Sequence, residues 1–221
     1  MAEGSSTLES AAVQAALKRI GILGGTFDPP HVGHVVAAVA ALWELALDQV
    51  LLMTANIPWQ KVGVRPVTSA PDRLAMVTLL AEGIANVEVS TLELDRGGAS
   101  FTADTVRELR AAHRDAELFV ILGSDVAPML DTWKKTDQLK SEATIVVYDR
   151  PGSSGASPPA GWTFRRIDVP QLAVSSTDIR ARRVEGRPIH GLVPPSVLRY
   201  ITDRHLYIEN TPLAPPLTST P

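Results

Sequence analysis

Two histidines, His31 and His34, stand three residues apart in the stretch GILGGTFDPPHVGH (21–34), in a chain of 221 residues that has only five histidines. Residues at that spacing share one face of a helix. Gly24 and Gly25 close a short apolar run, and Pro29-Pro30 precede a helical pattern. Proline is favoured at a first helical position because no amide hydrogen is needed there. A helix N-terminus offers free amides and the positive end of the macrodipole, so two imidazoles beside it suit a phosphate. Gly33, between them, leaves room for something large to approach the backbone. Three plainer readings stay open on spacing alone. The imidazoles could be surface or capping groups. They could bind zinc, although the chain has no cysteine and no third ligand lies near. The glycines could belong to a dinucleotide fingerprint. The spacing Gly21, Gly24, Gly25 lacks G-x-G-x-x-G, however, which disfavours a hydride-transfer enzyme.

A second stretch, VSSTDIR (174–180), has the same character. Ser175, Ser176 and Thr177 bring hydroxyls and free amides to the start of a helical pattern. Arg180 lies one turn inside, on the face carrying the hydroxyls. A guanidinium meets phosphate oxygens through two parallel N–H bonds. The alternative is an ordinary N-cap followed by a solvated arginine, with Asp178 complementing the helix dipole.

The elements that position these residues alternate in type. Apolar runs at 19–23, 49–54, 117–123 and 143–148 read as strands, as do 86–91 and 163–169. Helical patterns cover Val32 to Leu47, the stretch capped by Ser69 and closed by Gly83, Thr102 to His113, and two segments from about Ser176 and Pro194. The stretch 150–161, rich in Gly, Ser and Pro, reads as a flexible loop. Strands alternating with helices predict an open parallel sheet covered on both faces. Such sheets bind ligands beyond the carboxyl ends of their strands, here at Gly24, Thr54, Gly123 and Pro170.

Composition bounds the function. With 45% hydrophobic and 20% charged residues, the chain is an ordinary soluble globular one of a single domain. The net charge of −3 supplies no field for a nucleic-acid polymer or a membrane surface, so any bound anion must be held by a local cluster. The absence of cysteine excludes disulfides and thiolate metal sites and fits a reducing cytoplasm. The longest apolar run, Val35 to Trp43, is far below the ~18 residues of a membrane span. Residues 1–18 read as a flexible leader without a basic signal-peptide start, 19–207 as the domain, and 208–221 as a Pro-rich disordered tail.

GGTFDPPHVGH (24–34), following a first strand, resembles the signature of the nucleotidylyltransferase superfamily, whose (H/T)-x-G-H pair binds nucleotide phosphates. SSTDIR (175–180) resembles the S-S-T-x-I-R element that grips the β- and γ-phosphates of ATP. Within that superfamily SFTADT (100–105) resembles the S-Y-T-x-D-T of nicotinate-nucleotide adenylyltransferases, with Phe101 in place of tyrosine. The stretch from Gly123 to Trp133 resembles their G-A-D…W segment, and PPSVLRYITDRHLY (194–207) resembles their V-x-x-Y-I-x-x-x-x-L-Y ending. The likeness looks closest to actinobacterial forms.

The resemblance implies a Rossmann-like α/β fold, an open, mostly parallel sheet with helices on both faces. It implies transfer of the AMP moiety of ATP to nicotinate mononucleotide, with Mg²⁺ accompanying ATP and no dedicated metal ligands on the protein. His31, His34 and Arg180 would be catalytic. Gly24, Gly25, Thr26, Phe27, Gly33, Gly123, Asp125, Ser175, Ser176 and Thr177 would bind ATP together with Arg180. Thr102 and Trp133 would embrace the pyridine ring, and Asn56 and Lys61 would reach the mononucleotide phosphate. Read from the residues alone, Trp133 is either a core aromatic or a site-rim residue among Asp131, Thr132, Lys134 and Lys135. Asp125 is either a helix N-cap or a ribose acceptor. One segment departs from the family: its N-P-P-H-K loop appears as Asn56-Ile-Pro-Trp-Gln-Lys61, one residue longer and without the histidine, so Trp59 could cover the site. Pantetheine-phosphate adenylyltransferases and cytidylyltransferases share the core motifs but are not expected to carry Thr102 and Trp133. A non-enzymatic nucleotide sensor on the same fold is the rival from another class. A homo-oligomer is left open.

Overall fold

The computed structural model describes residues 18–61 and 63–208. The expected leader up to residue 17 and the tail from 209 lie outside the described residues. Six parallel strands form one sheet in the order β3-β2-β1-β4-β5-β6. They are β1 (Arg19–Gly25), β2 (Gln49–Thr54), β3 (Val87–Ser90), β4 (Glu117–Gly123), β5 (Thr144–Tyr148) and β6 (Phe164–Ile167). The helices are α1 (Val32–Glu44), α2 (Ala70–Ala81), α3 (Leu92–Arg96), α4 (Thr102–Ala112), α5 (Thr136–Glu142), α6 (Ser176–Val184) and α7 (Pro195–Asp203), with a 3-10 helix at Ala127–Thr132.

Alternate residues of the strands feed two cores. Leu23, Leu52, Phe119, Ile121 and Val146 point to the face covered by α1, α2, α6 and α7. Ile20, Ile22, Met53, Val120 and Val147 point to the face packed by Val106, Leu109, Leu130 and Leu139 from α4, the 3-10 helix and α5. Parallel strands buried on both faces read as near-continuous apolar runs, and the four central strands do. Gly21 is a packing glycine, since a Cβ there would lie 2.8–2.9 Å from the side chains of Leu47, Val50 and Ile121.

Three short elements were not expected: α3, the 3-10 helix and α5. Each is seven residues or fewer, too short to display a 3.6-residue period. The first helix stops at Glu44 rather than Leu47. Pro29 and Pro30 precede its N-cap, His31, instead of occupying the first helical position. Among the described residues no helix is long and apolar enough to cross a membrane.

Candidate active site

β1 and β4 are neighbours in the sheet, yet the chain runs outward from them in opposite directions, through β2 and β3 on one side and β5 and β6 on the other. A crevice opens where strand order reverses in this way. Here it is a cleft of about 460 Å³ at the carboxyl ends of the central strands, within the usual size of a small-molecule site.

His31 is the N-cap of α1 and His34 lies in its first turn. The two rings stack with centroids 3.8 Å apart. Phe27, whose φ is 51°, sets its ring edge-on to His34 at 4.9 Å. The His31 backbone N–H donates to His34 Nδ1 at 3.1 Å. That bond leaves the proton of a neutral His34 on Nε2, a donor free for a ligand. Burial, with help from the Arg150 guanidinium, lowers the His31 pKa to about 3. His34 is held well below the ordinary imidazole range by burial first, then by His31 and Arg150. Both rings are therefore neutral at pH 7 without a ligand.

The second phosphate element folds onto the first. Ser175 caps α6, accepting from the Asp178 amide at 3.0 Å. Ser176 Oγ donates to the Pro29 carbonyl at 2.8 Å, and Arg180 Nη1 donates to the Asp28 carbonyl at 2.7 Å. Arg180 Nη2 also reaches Thr177 Oγ1 at 3.1 Å. Ser176 Oγ is thus engaged inside the protein, while Ser175 caps the helix and Thr177 stays exposed beside Arg180. The start of α6 and the Arg180 guanidinium line the cleft.

Asp28 ties these pieces together. Its carboxylate is 1% exposed and bonds Arg65 Nη1 at 2.5 Å and the Tyr207 hydroxyl at 2.8 Å. Burial alone would raise this carboxyl, but hydrogen bonds from Thr68, Arg65 and Tyr207 hold it below the usual carboxylate range.

Most of the residues singled out in the sequence line the cleft together. Gly24, Gly25, Thr26, Phe27, His31, His34, Lys61, Thr102, Gly123, Asp125, Trp133, Ser175, Ser176, Thr177 and Arg180 all do so. A Cβ at Gly24 would meet nothing within 4 Å, so its backbone faces open space. Thr102 is the first residue of α4. Trp133 closes the 3-10 helix and packs on the second core while facing the cleft, so both readings of it hold in part. Asp125 is not an N-cap, since Val126 holds that position. Its carboxylate pairs with Arg150 at 3.2 Å.

Two residues are placed elsewhere. Asn56 donates its side-chain amide to the Gly98 carbonyl at 3.0 Å and bonds Ser100 through its backbone N–H, so its side chain braces the start of α4 instead of lining the cleft. Gly33 borders a small side hollow behind the histidines. A Cβ there would lie 3.0 Å from His31 Nδ1 and 3.1 Å from Val174. Gly33 leaves room for the ring of His31.

Sequence reading missed Arg65 and Arg150. Lys61, Arg65, Lys134, Arg150 and Arg180 line the cleft against Asp28, Glu93 and Asp125, and Asp28 is already engaged. The acidic chain thus holds a locally cationic cleft. Arg150 follows the end of β5, so applying the strand-end rule to that strand would have found it. Trp59, from the departing loop, lines the cleft with its ring 6.0 Å from Phe101.

A doubly wound sheet with a histidine-capped helix and a second cationic helix start at its switch point defines a nucleotide-handling α/β protein. Residues 22–182 match the family model for cytidylyltransferase-like proteins. Within that class the chain belongs to the nicotinate-nucleotide adenylyltransferase family. It is 42% identical over 188 residues to "Probable nicotinate-nucleotide adenylyltransferase" of Streptomyces coelicolor, covering 84% of this chain and 98% of that one. To the protein of the same name from Frankia casuarinae it is 45% identical over 190 residues, with the same coverages. In fold it is similar to Plasmodium falciparum nicotinic acid mononucleotide adenylyltransferase complexed with NaAD, at a TM-score of 0.70 and 20% identity over 86% of this chain and 97% of that one.

Proposed function

We propose that the chain transfers the AMP moiety of ATP to nicotinate mononucleotide, giving nicotinate adenine dinucleotide and pyrophosphate, a step of NAD biosynthesis. The observation that carries this reading is the joining of the two phosphate elements, Ser176 to Pro29 and Arg180 to Asp28, beside a stacked histidine pair at a helix N-terminus. The relatives' names supply the substrates. The absence of cysteine suits a cytoplasmic setting.

The mononucleotide phosphate is the nucleophile, anionic already at neutral pH. One of its oxygens forms the new bond to the α-phosphorus in line, and the bond from that phosphorus to the β-phosphate oxygen breaks, releasing pyrophosphate. No enzyme nucleophile and no general base is needed, so the protein's contribution is alignment and charge stabilisation. In this reading His34 Nε2–H, with His31 beside it, donates to the α-phosphate oxygens as charge builds in the transition state. Arg180 and the first amides of α6 hold the leaving pyrophosphate. Lys61 approaches the mononucleotide phosphate, and Thr102 and Trp133 hold the pyridine. Among the described residues no group of three or more His, Cys, Asp or Glu could hold a metal ion. Mg²⁺ would arrive on the triphosphate, bound through phosphate oxygens and water, and would neutralise charge there.

A pyrophosphate-release assay with ATP against nicotinate mononucleotide, nicotinamide mononucleotide and phosphopantetheine tests the reading. Turnover with the nicotinate compound, at least about tenfold above its amide in kcat/KM, is expected, because a donor-lined site leaves buried groups unpaired against a carboxamide NH₂. Release driven by phosphopantetheine alone would assign the chain to another reaction.

A further inference from the structure

Arg73, in the first turn of α2, is 1% exposed, and its guanidinium hydrogen-bonds backbone carbonyls alone. Nε donates to Thr68 at 2.8 Å. Nη1 donates to Thr26 at 2.9 Å and to Ala55 at 2.7 Å. Nη2 donates to Asn56 at 2.8 Å. No carboxylate bonds it among the described residues. A buried cation without an ion pair is a costly way to fill a core, so the position of its acceptors matters more than its volume.

Those acceptors come from three places. Thr26 lies just beyond β1, in the turn that leads to Asp28 and His31. Ala55 and Asn56 lie just beyond β2, past its last rung with β1 at Gly25 and Thr54. Thr68 is the far end of the segment that begins at Ala55 and carries Trp59, Lys61 and Arg65 into the cleft. A single rigid, planar group therefore holds both ends of the cleft-lining segment and the phosphate turn. Its donors have a fixed fork geometry, so none of these anchors can shift without breaking a bond to another.

We infer that Arg73 is a positioning residue that sets the separation between the α-phosphate site at His31 and His34 and the mononucleotide side at Lys61. This rests on the proposed adenylyl transfer, in which two bound phosphates must meet in line. It touches neither substrate. Its effect falls on kcat, because misplacing a reacting group by about 1 Å costs on the order of 10²-fold in rate, while each half-site keeps its own binding groups.

The test is Arg73→Lys, which keeps the charge but reaches from one nitrogen. Steady-state kinetics of dinucleotide formation are run beside wild type, together with separate equilibrium binding of a non-hydrolysable ATP analogue and of nicotinate mononucleotide. A kcat lowered by about 10²-fold, with each separate affinity within about threefold, is the expected result. A folded variant with kcat within twofold of wild type overturns the inference, and so does a loss confined to one substrate's binding. Should Arg73→Lys not fold, Arg73→Gln carries the same measurements. If neither folds, the guanidinium serves stability and not alignment, and the inference fails. Wild type that forms no dinucleotide would instead remove the proposed function.

Discussion

Acidification should destabilise this protein through its histidine pair. His31 has a pKa of about 3 in the folded chain, against about 6.5 in an unfolded one. As pH falls through the unfolded value, the unfolded state takes up a proton that the folded state refuses, so stability drops on the acid side. At pH about 5.5 the unfolded imidazole is protonated roughly ten to one. Relative to pH about 7.5 this removes about 1.4 kcal/mol of stability for one histidine. That figure is insensitive to the folded value, since any folded pKa below about 4.5 returns nearly the same number. His34 is shifted in the same direction, by burial first and then by His31 and Arg150, so the loss for the pair exceeds that for His31 alone. For a domain of this size the His31 loss alone corresponds to a fall in melting temperature of about 3–6 °C. The assay is urea or thermal denaturation at the two pH values, for wild type and for a variant carrying His31→Asn and His34→Asn. Carboxylates and other titrating groups are common to both proteins, so they cancel in the difference. Equal losses in the two proteins would show that neither imidazole is buried neutral, and the tautomer argument for His34 would go with it.

Three further outcomes follow from the site. His34→Ala should cut turnover by about 10²–10³, the scale of one lost transition-state donor, and should leave the fold intact; near wild-type turnover in a folded variant refutes the assigned role. Arg180→Lys keeps the charge but loses the fork that spans the Asp28 carbonyl and Thr177, so kinetics should show both a higher KM for ATP and a lower kcat, and unchanged ATP kinetics would make Arg180 a bystander. Tyr207→Phe removes a 2.8 Å bond to a carboxylate that is 1% exposed, at a cost of about 1–3 kcal/mol by urea denaturation; a change within error would mean that Thr68 and Arg65 suffice for Asp28.

The strands and long helices were legible in the sequence because each records its environment locally. Strands such as ELFVILG are apolar from Leu118 onward since both faces are buried there, and α4 shows a helical period because one face is. Motifs made of neighbours were legible too: His31 and His34 share a helix turn, and Ser175 caps the helix that Arg180 completes. Tertiary structure alone decided what these groups meet. Nothing near residue 180 indicates that Arg180 and Ser176 bond carbonyls about 150 residues earlier in the chain. Asn56 reads as a ligand group, and only the fold shows its side-chain amide on the Gly98 carbonyl and its backbone N–H on Ser100. Gly33 reads as room for something large to approach, and only the fold shows the His31 ring set against it. Arg73 is one charged residue of a helical stretch in the sequence, and a buried clamp in the fold. Its partners are backbone carbonyls, which every residue type carries alike, so no pattern of side chains could have announced them. Composition and periodicity specify which surfaces must be buried. Which distant backbone groups arrive at one guanidinium is settled only when the strand ends converge.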